Sequence, residues 1–145
     1  MSAPFSAVVS LVEQVLKSLG IDPETSRVRN VPQTIAWGMQ RGSAQVLIMV
    51  NEDKGAVWVR AIAPVVKLPG DSAMKLELYG RLLDLNAKAM RNAAFGVLND
   101  NVVVVSERPG DGLDAAECEQ ILKHVGAVAD HYDDLLADEL GLTKV

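Results

Sequence analysis

The residues of this sequence best suited to metal or acid–base chemistry are its two histidines, His124 and His131, with Asp130 and Asp134 nearby. Imidazole and carboxylate groups are common metal ligands. The histidines lie seven positions apart in a segment of helical periodicity, which separates them by about 10.5 Å along the helix axis. His131 with the two aspartates could form at most a weak surface site, and a solvated acidic face accounts for the same residues. We therefore predict no metal site and no cofactor.

No motif of a known catalytic mechanism is present. The sequence contains no G-x-S-x-G, no phosphate-binding G-x-x-x-x-G-K and no H-E-x-x-H. The glycine-rich stretch from Gly110 to Gly112 carries Asp111 where a phosphate loop requires a base, so we interpret it as a turn. We predict that the protein is not an enzyme. A small-ligand-binding or enzymatic domain with an unrecognised site is the alternative.

The single cysteine and the N-terminal sequence bear on location. Cys118 has no partner within the chain for a disulfide, which favours a buried free thiol in the reducing cytoplasm. The first apolar run is interrupted by Glu13 and Lys17, which argues against a signal peptide and against a membrane span. We predict a soluble cytoplasmic protein.

Composition predicts one domain over residues 1–145, because 49% of the residues are hydrophobic and no long linker divides them. The net charge of −5 is unevenly distributed. Residues 27–67 carry six basic and two acidic side chains, whereas residues 111–145 carry two basic and nine acidic ones. An acidic chain without a recognised reader motif makes nucleic acid an unfavoured partner.

Periodicity and turn residues predict an α+β protein with two layers. The predicted order is a helix, a three-stranded antiparallel meander, a helix, a β-hairpin and a helix. In the meander, Pro64 indicates an edge strand or a bulge. The predicted segments are a helix over 5–19, strands over 33–40, 45–50 and 56–66, a helix from Asp71 or Ser72 to about Met90, strands over 93–98 and 102–108, and a helix after Asp114.

The second half of the chain resembles YbjN-like domains and the class I type III secretion chaperones, which share one fold. The resemblance rests on Leu82-Leu83-x-Leu85-Asn86 in the middle helix, Phe95-Gly96 at the hairpin, and Gly112-Leu113-Asp114 before the last helix. It extends from Leu82 to Leu136 in detail and over the preceding residues by element order. It implies a protein that forms homodimers and binds segments of other proteins, as a chaperone, adaptor or regulator.

The last predicted strand is apolar on both faces, because Val102 and Val104 point to one side and Val103 and Val105 to the other. Helices of the same chain could cover both faces, or a second copy could cover one of them. The wide apolar surface of the middle helix favours a dimer. Asn86 within it either fixes the register of a helix pair or bonds a neighbouring backbone group of its own chain. The predicted dimer interface comprises Leu78, Leu82, Leu85, Asn86, Val102 and Val104.

The meander is also the basic part of the chain, with Arg27 and Arg29 close before it. An edge strand offers unpaired backbone groups to an incoming extended segment. We predict that an extended, partly apolar and acidic segment of a partner protein binds there. The alternative is that both tryptophans are core residues and the arginines are solvated. The predicted binding residues are Trp37, Met39, Arg41, Trp58 and Arg60.

Overall fold

The computed structural model describes residues 3–145 as one antiparallel sheet with helices. The elements, in chain order, are α1 (Phe5–Ser18), α2 (Pro23–Ser26), β1 (Arg27–Val31), β2 (Thr34–Arg41), β3 (Ala44–Asp53), β4 (Ala56–Lys67), α3 (Ser72–Lys88), β5 (Ala94–Leu98), β6 (Asn101–Pro109) and α4 (Ala115–Leu140). The six strands follow the spatial order β1-β2-β3-β4-β6-β5. The predicted α+β class is confirmed, and β1 and β5 form the two edges of the sheet.

The predicted meander of three strands is wrong by one strand, because β1 precedes the others and makes four. β1 lies between the predicted helix over 5–19 and the predicted strand over 33–40, in a segment that contains two prolines. Pro23 instead begins the single turn α2, whose N-cap Asp22 accepts a hydrogen bond from the Glu24 N–H at 2.9 Å. Pro32 lies in the two-residue turn between β1 and β2. The prolines therefore mark element boundaries rather than a linker.

Local capping and turn residues determine most of the other boundaries. The Asp71 carboxylate accepts from the Met74 N–H at 3.0 Å and begins α3. Asp114 and Glu117 form a capping box at the start of α4. Pro64 marks a bulge, since β4 is an inner strand whose register with β6 shifts between Pro64 and Val66.

The three long helices pack on one face of the sheet, which we call the inner face. Trp37, Ile48 and Ala61 lie side by side on it, because each is paired with the next in the strand register. Val102 and Val104 belong to the same core cluster and are fully buried. Burying each of these two valine side chains stabilises the fold by about 1.5 to 3 kcal/mol.

The opposite, outer face carries Val103 and Val105 together with Ile62 and Met49. These residues lie outside the core cluster that the helices form. Val103 is 7% exposed, whereas Val105 and Met49 are half-buried. The described helices therefore cover only one face of the sheet. The alternative in which helices of the same chain cover both faces is wrong.

Candidate functional site

The five predicted binding residues do not form one surface, because the sheet separates them. Trp37, Met39 and Arg41 alternate along β2 and point to the inner face. Trp58 and Arg60 alternate along β4 and point to the outer face. Arg60 pairs with Met49 of β3, which lies on the outer face. The sequence alone does not assign a face to each strand residue, so the prediction grouped all five on one surface.

The inner-face group is buried only in part, since Met39 is half-buried and Arg41 is exposed. Trp37 is fully buried, and its indole N–H finds no hydrogen-bond partner among residues 3–145. Arg41 lies against α4, where a Cβ on Gly126 would come within 2.6 Å of the Arg41 Cδ. The absence of a side chain at Gly126 therefore lets the Arg41 stem cross the helix. Of the alternatives for the tryptophans, the core position is confirmed for Trp37.

The outer-face group remains accessible. Trp58 is 37% exposed and lines a shallow hollow with Met49 and Arg60. The Arg60 guanidinium lies 3.1 Å from the Glu107 carboxylate, and both side chains are partly solvated. The ion pair compensates the charge of Arg60, and Asp53, which also lines the hollow, gives it a slightly acidic character beside the apolar surface of Trp58.

The free edge of β1 is a further candidate that the sequence analysis missed. Val28 is 65% exposed and Val31 is 42% exposed, so the strand presents apolar side chains to solvent. Val28 lies over Gly38 of β2, 3.7 Å from where a Cβ would be. The only signal in the sequence for β1 is Val28 and Val31 ahead of Pro32 and Gln33, the two residues that turn the chain into β2.

The arginines of β1 differ in their pairing. Arg27 binds the Glu13 carboxylate at 2.8 Å and lies 3.6 Å from that of Glu24, which ties β1 to α1. Arg29 is exposed and forms no ion pair within residues 3–145. Arg29 is therefore the arginine of this edge that is available to interact with a partner.

The residues predicted at a dimer interface lie within the protomer itself. Asn86 donates to the Phe95 carbonyl at 3.2 Å and accepts from the Phe95 N–H at 2.7 Å, so it bonds the backbone of its own chain. The apolar members are at most 7% exposed and already pack in the core. They are Leu78, Leu82, Leu85, Val102 and Val104.

An apolar groove lies beside them, between α3 and β5. We define the α3–β5 groove by Tyr79, Leu82, Leu83, Phe95 and Val97, with a volume of about 390 Å³. Leu83 is 69% exposed and Val97 is 47% exposed. These side chains project from the helix and the strand without covering each other, which leaves an apolar surface in contact with solvent.

The side chains that could ligate a metal or act as a nucleophile lie apart from one another and make structural contacts. No group of three His, Cys, Asp or Glu residues within 3–145 is arranged to hold a metal ion. The His124 Nε2 donates to the Met90 carbonyl at 3.0 Å, and the His131 ring packs edge-on against Tyr132. Burial raises the pKa of the Cys118 thiol to about 11, which disfavours the nucleophilic thiolate.

In the part of the chain that the structure describes, no helix combines the length and apolar character needed to cross a membrane.

The chain matches a family model described as T3SS (YopN, CesT) and YbjN peptide-binding chaperone 1, TY-Chap1, over residues 7–143. It matches no curated protein sequence.

Several solved structures share the fold. A chain of the ExsC–ExsE complex is 16% identical, with 94% of this chain and 97% of that chain covered and a TM-score of 0.64. A chain of the HopA1–SchA chaperone–effector complex is 12% identical, with coverages of 86% and 91% and a TM-score of 0.58. YbjN from E. coli is 16% identical, with coverages of 93% and 94% and a TM-score of 0.51. At these identities the likeness shows the fold alone.

Proposed function

We propose that this chain, which belongs to the TY-Chap1 family of peptide-binding chaperones, is a non-enzymatic module that binds an extended segment of a partner protein along β1. The observation that carries the proposal is the free edge of β1, with its two exposed valines. Within residues 3–145 the sheet has no further strand beyond β1.

Strand addition at this edge would satisfy backbone groups and bury apolar surface together. The outer N–H and C=O groups of β1 can pair with an extended chain, which gives affinity with little dependence on sequence. Val28 and Val31 would contact apolar side chains of the incoming segment, and burial of each contributes about 1.5 to 3 kcal/mol before the cost of association. The preferred segment is therefore extended and partly apolar.

Charge favours an acidic segment. The basic block over residues 27–67 includes β1, and Arg29 is available on it. The partners of Arg27 are on the same protomer, so its charge is already compensated. An acidic segment would be attracted to Arg29, which mainly speeds encounter and sets orientation.

We further propose that the protein forms a homodimer through the α3–β5 groove. The exposed Leu83 and Val97 supply an apolar patch, and Asn86 occupies the outer edge of β5 at Phe95. Side-chain packing between two copies therefore fits this surface better than strand pairing. Because β1 and β5 are opposite edges of the sheet, such a dimer leaves both β1 edges free for two segments.

This arrangement suits a cytoplasmic chaperone, adaptor or regulator. A segment held along β1 is withdrawn from other contacts, so binding both protects the partner and controls what else it meets. The lone Cys118 thiol is compatible with the reducing cytoplasm.

Capture from the native lysate tests the proposal when matched variants are compared. Wild-type protein should retain a stoichiometric protein partner, identified by mass spectrometry. Val28→Glu combined with Val31→Glu should lose it, because the two carboxylates oppose both the apolar contacts and an acidic segment. Leu135→Glu, at a 40% exposed position of α4, is the control and should retain it.

Two other outcomes would oppose the proposal. A partner retained by the edge variant would place binding elsewhere. A protein that captures nothing, yet is stabilised by a metabolite, would support the alternative of a small-ligand or enzymatic domain.

A further inference from the structure

A small cavity lies at the other end of the sheet from β1, where β6 meets the start of α4 and the loop that follows α3. Its volume is about 80 Å³, which suits a single small group rather than a peptide. Ile121, which is 6% exposed, supplies apolar surface, and the other lining side chains are polar or charged. The cavity is separate from β1 and from the α3–β5 groove.

Two arginines give the cavity a positive character in a chain of net charge −5. Arg108 comes from β6 and Arg91 from the loop after α3. The remaining hydrogen-bonding side chains include Gln120 and His124 of α4. Guanidinium groups bind carboxylate and phosphate oxygens through paired hydrogen bonds, so the lining is chemically matched to an oxyanion.

The loop that carries Arg91 is fixed before any ligand arrives. The Ser106 hydroxyl, on a residue 4% exposed, donates to the Asn92 carbonyl at 2.7 Å. The His124 Nε2 donates to the Met90 carbonyl at 3.0 Å. Arg91 itself has φ of +56°, a conformation that residues with side chains rarely adopt. These contacts hold an arginine at the cavity in a backbone position where glycine or asparagine is usual.

The arginines keep capacity for a further anion. Arg91 forms no ion pair with any residue from 3 to 145. Arg108 has the Glu117 carboxylate at 3.7 Å, longer than a hydrogen bond, and Glu117 also bonds the backbone at Asp114 within the capping box. The Glu117 carboxylate therefore competes in part with an incoming anion for Arg108.

We propose that this cavity binds a small oxyanion, such as the phosphate or carboxylate group of a metabolite, between Arg91 and Arg108. Gln120 supplies a neutral donor beside the arginines. The proposal is independent of peptide binding at β1, because no residue of that edge lines the cavity.

The test is a titration of the full chain with inorganic phosphate and with acetate, against chloride at equal ionic strength. At least one oxyanion should raise the melting temperature above chloride, and should shift the amide resonances of Asn92 and Gln120 in NMR spectra. Phosphate and acetate act as separate arms, since a response to one alone identifies the preferred geometry.

Matched variants test whether the anion binds at this cavity. Arg108→Gln and Arg91→Gln should each weaken binding about tenfold or more, as expected for loss of a charged hydrogen bond. Arg60→Gln, which removes an arginine of the outer face, should bind like the wild type. Glu117→Gln should tighten binding, because glutamine preserves the capping box and removes the competing charge.

A lack of stabilisation by both oxyanions would overturn the proposal. So would equal responses of wild type, Arg108→Gln and Arg60→Gln, since these would indicate a general effect of anions. Weaker binding by Glu117→Gln would contradict the role given to Glu117.

Discussion

The side chain of Asn86 pairs with both backbone groups of Phe95, accepting from the N–H at 2.7 Å and donating to the carbonyl at 3.2 Å. The amide thereby occupies the outer edge of β5 at the position where another strand would bind. An edge strand with unpaired groups is a site of unwanted association. Asn86 thus both joins α3 to the sheet and blocks part of one edge.

Asn86→Ala should lower the free energy of unfolding by about 1 to 3 kcal/mol, because two backbone groups of a buried residue lose their partner. Urea denaturation monitored by circular dichroism measures the change. Glu77→Ala, at an exposed position of the same helix, should change stability by less than about 0.5 kcal/mol. Equal effects of the two variants would show that the Asn86 pairing contributes nothing.

The architecture was largely predictable because its signals are local. Asp71, Asp114 and Glu117 are caps that act within one helical turn. Asn99 and Asp100 adopt φ of 51° and 64° in the hairpin turn, a conformation that their short polar side chains tolerate. Each signal involves neighbours in sequence, so no knowledge of the tertiary structure was needed.

The faces of the elements were not predictable in the same way. Trp37 follows Ile35 and Ala36, so β2 has apolar residues on both sides and alternation does not identify the buried one. On α3, Leu82 and Leu83 are adjacent, yet the first is 5% and the second 69% exposed. Only the position of the helices relative to the sheet distinguishes them, and that position depends on long-range packing.

The hairpin turn between β2 and β3 should respond to acid through Asp130. Its carboxylate accepts from the Ser43 hydroxyl at 2.6 Å and from the Ser43 N–H at 2.8 Å. The Ser43 side-chain bond, followed by its backbone bond, lowers the pKa of Asp130 below the ordinary value of 3.8. A lowered pKa in the folded state stabilises the protein above the unfolded pKa, and this contribution is lost as the pH falls through the folded pKa.

Ser43→Ala should raise the pKa of Asp130 towards its ordinary value, which NMR titration of the carboxyl carbon can measure. Asp130→Asn should lose the Asp130 part of the acid dependence of unfolding, because the side chain no longer ionises. If the Asp130 titration were the same in wild type and in Ser43→Ala, the serine would not be the cause of the shift.

Cys118 should resist thiol reagents in the native protein. The residue is fully buried, and desolvation raises its pKa to about 11, so little thiolate is present at neutral pH. Labelling with a chromogenic disulfide should therefore be slow in buffer and complete in denaturant, with a native rate that reports local opening. Rapid labelling without denaturant would show that the first turns of α4 open readily.

The proposed dimer should give about twice the chain mass of 15.5 kDa in light scattering at micromolar concentration. Leu83→Glu should produce a folded monomer, because Leu83 is exposed within the protomer and a charge in an apolar interface is costly. Leu135→Glu on α4 is the control and should remain dimeric. Leu82→Asp should unfold the protein instead, since Leu82 is 5% exposed and lies in the core.

A monomeric wild-type protein at that concentration would contradict the dimer proposal. A dimer that survives Leu83→Glu would place the interface away from the α3–β5 groove, with the outer face as the next apolar surface.

Partner binding at β1 should depend on salt through Arg29. For a partner captured as described above, the association rate should fall as ionic strength rises, because steering by exposed charges is screened. Arg29→Glu should reduce the rate at low salt by about tenfold and leave the melting temperature nearly unchanged, since Arg29 is exposed and has no ion partner within residues 3–145. Lys67→Glu, a charge reversal at the exposed end of β4, should bind like the wild type.

If binding persists in Arg29→Glu but is lost when Asp130, Asp134 and Asp138 are neutralised, the segment binds the acidic face of α4 and the β1 proposal is wrong.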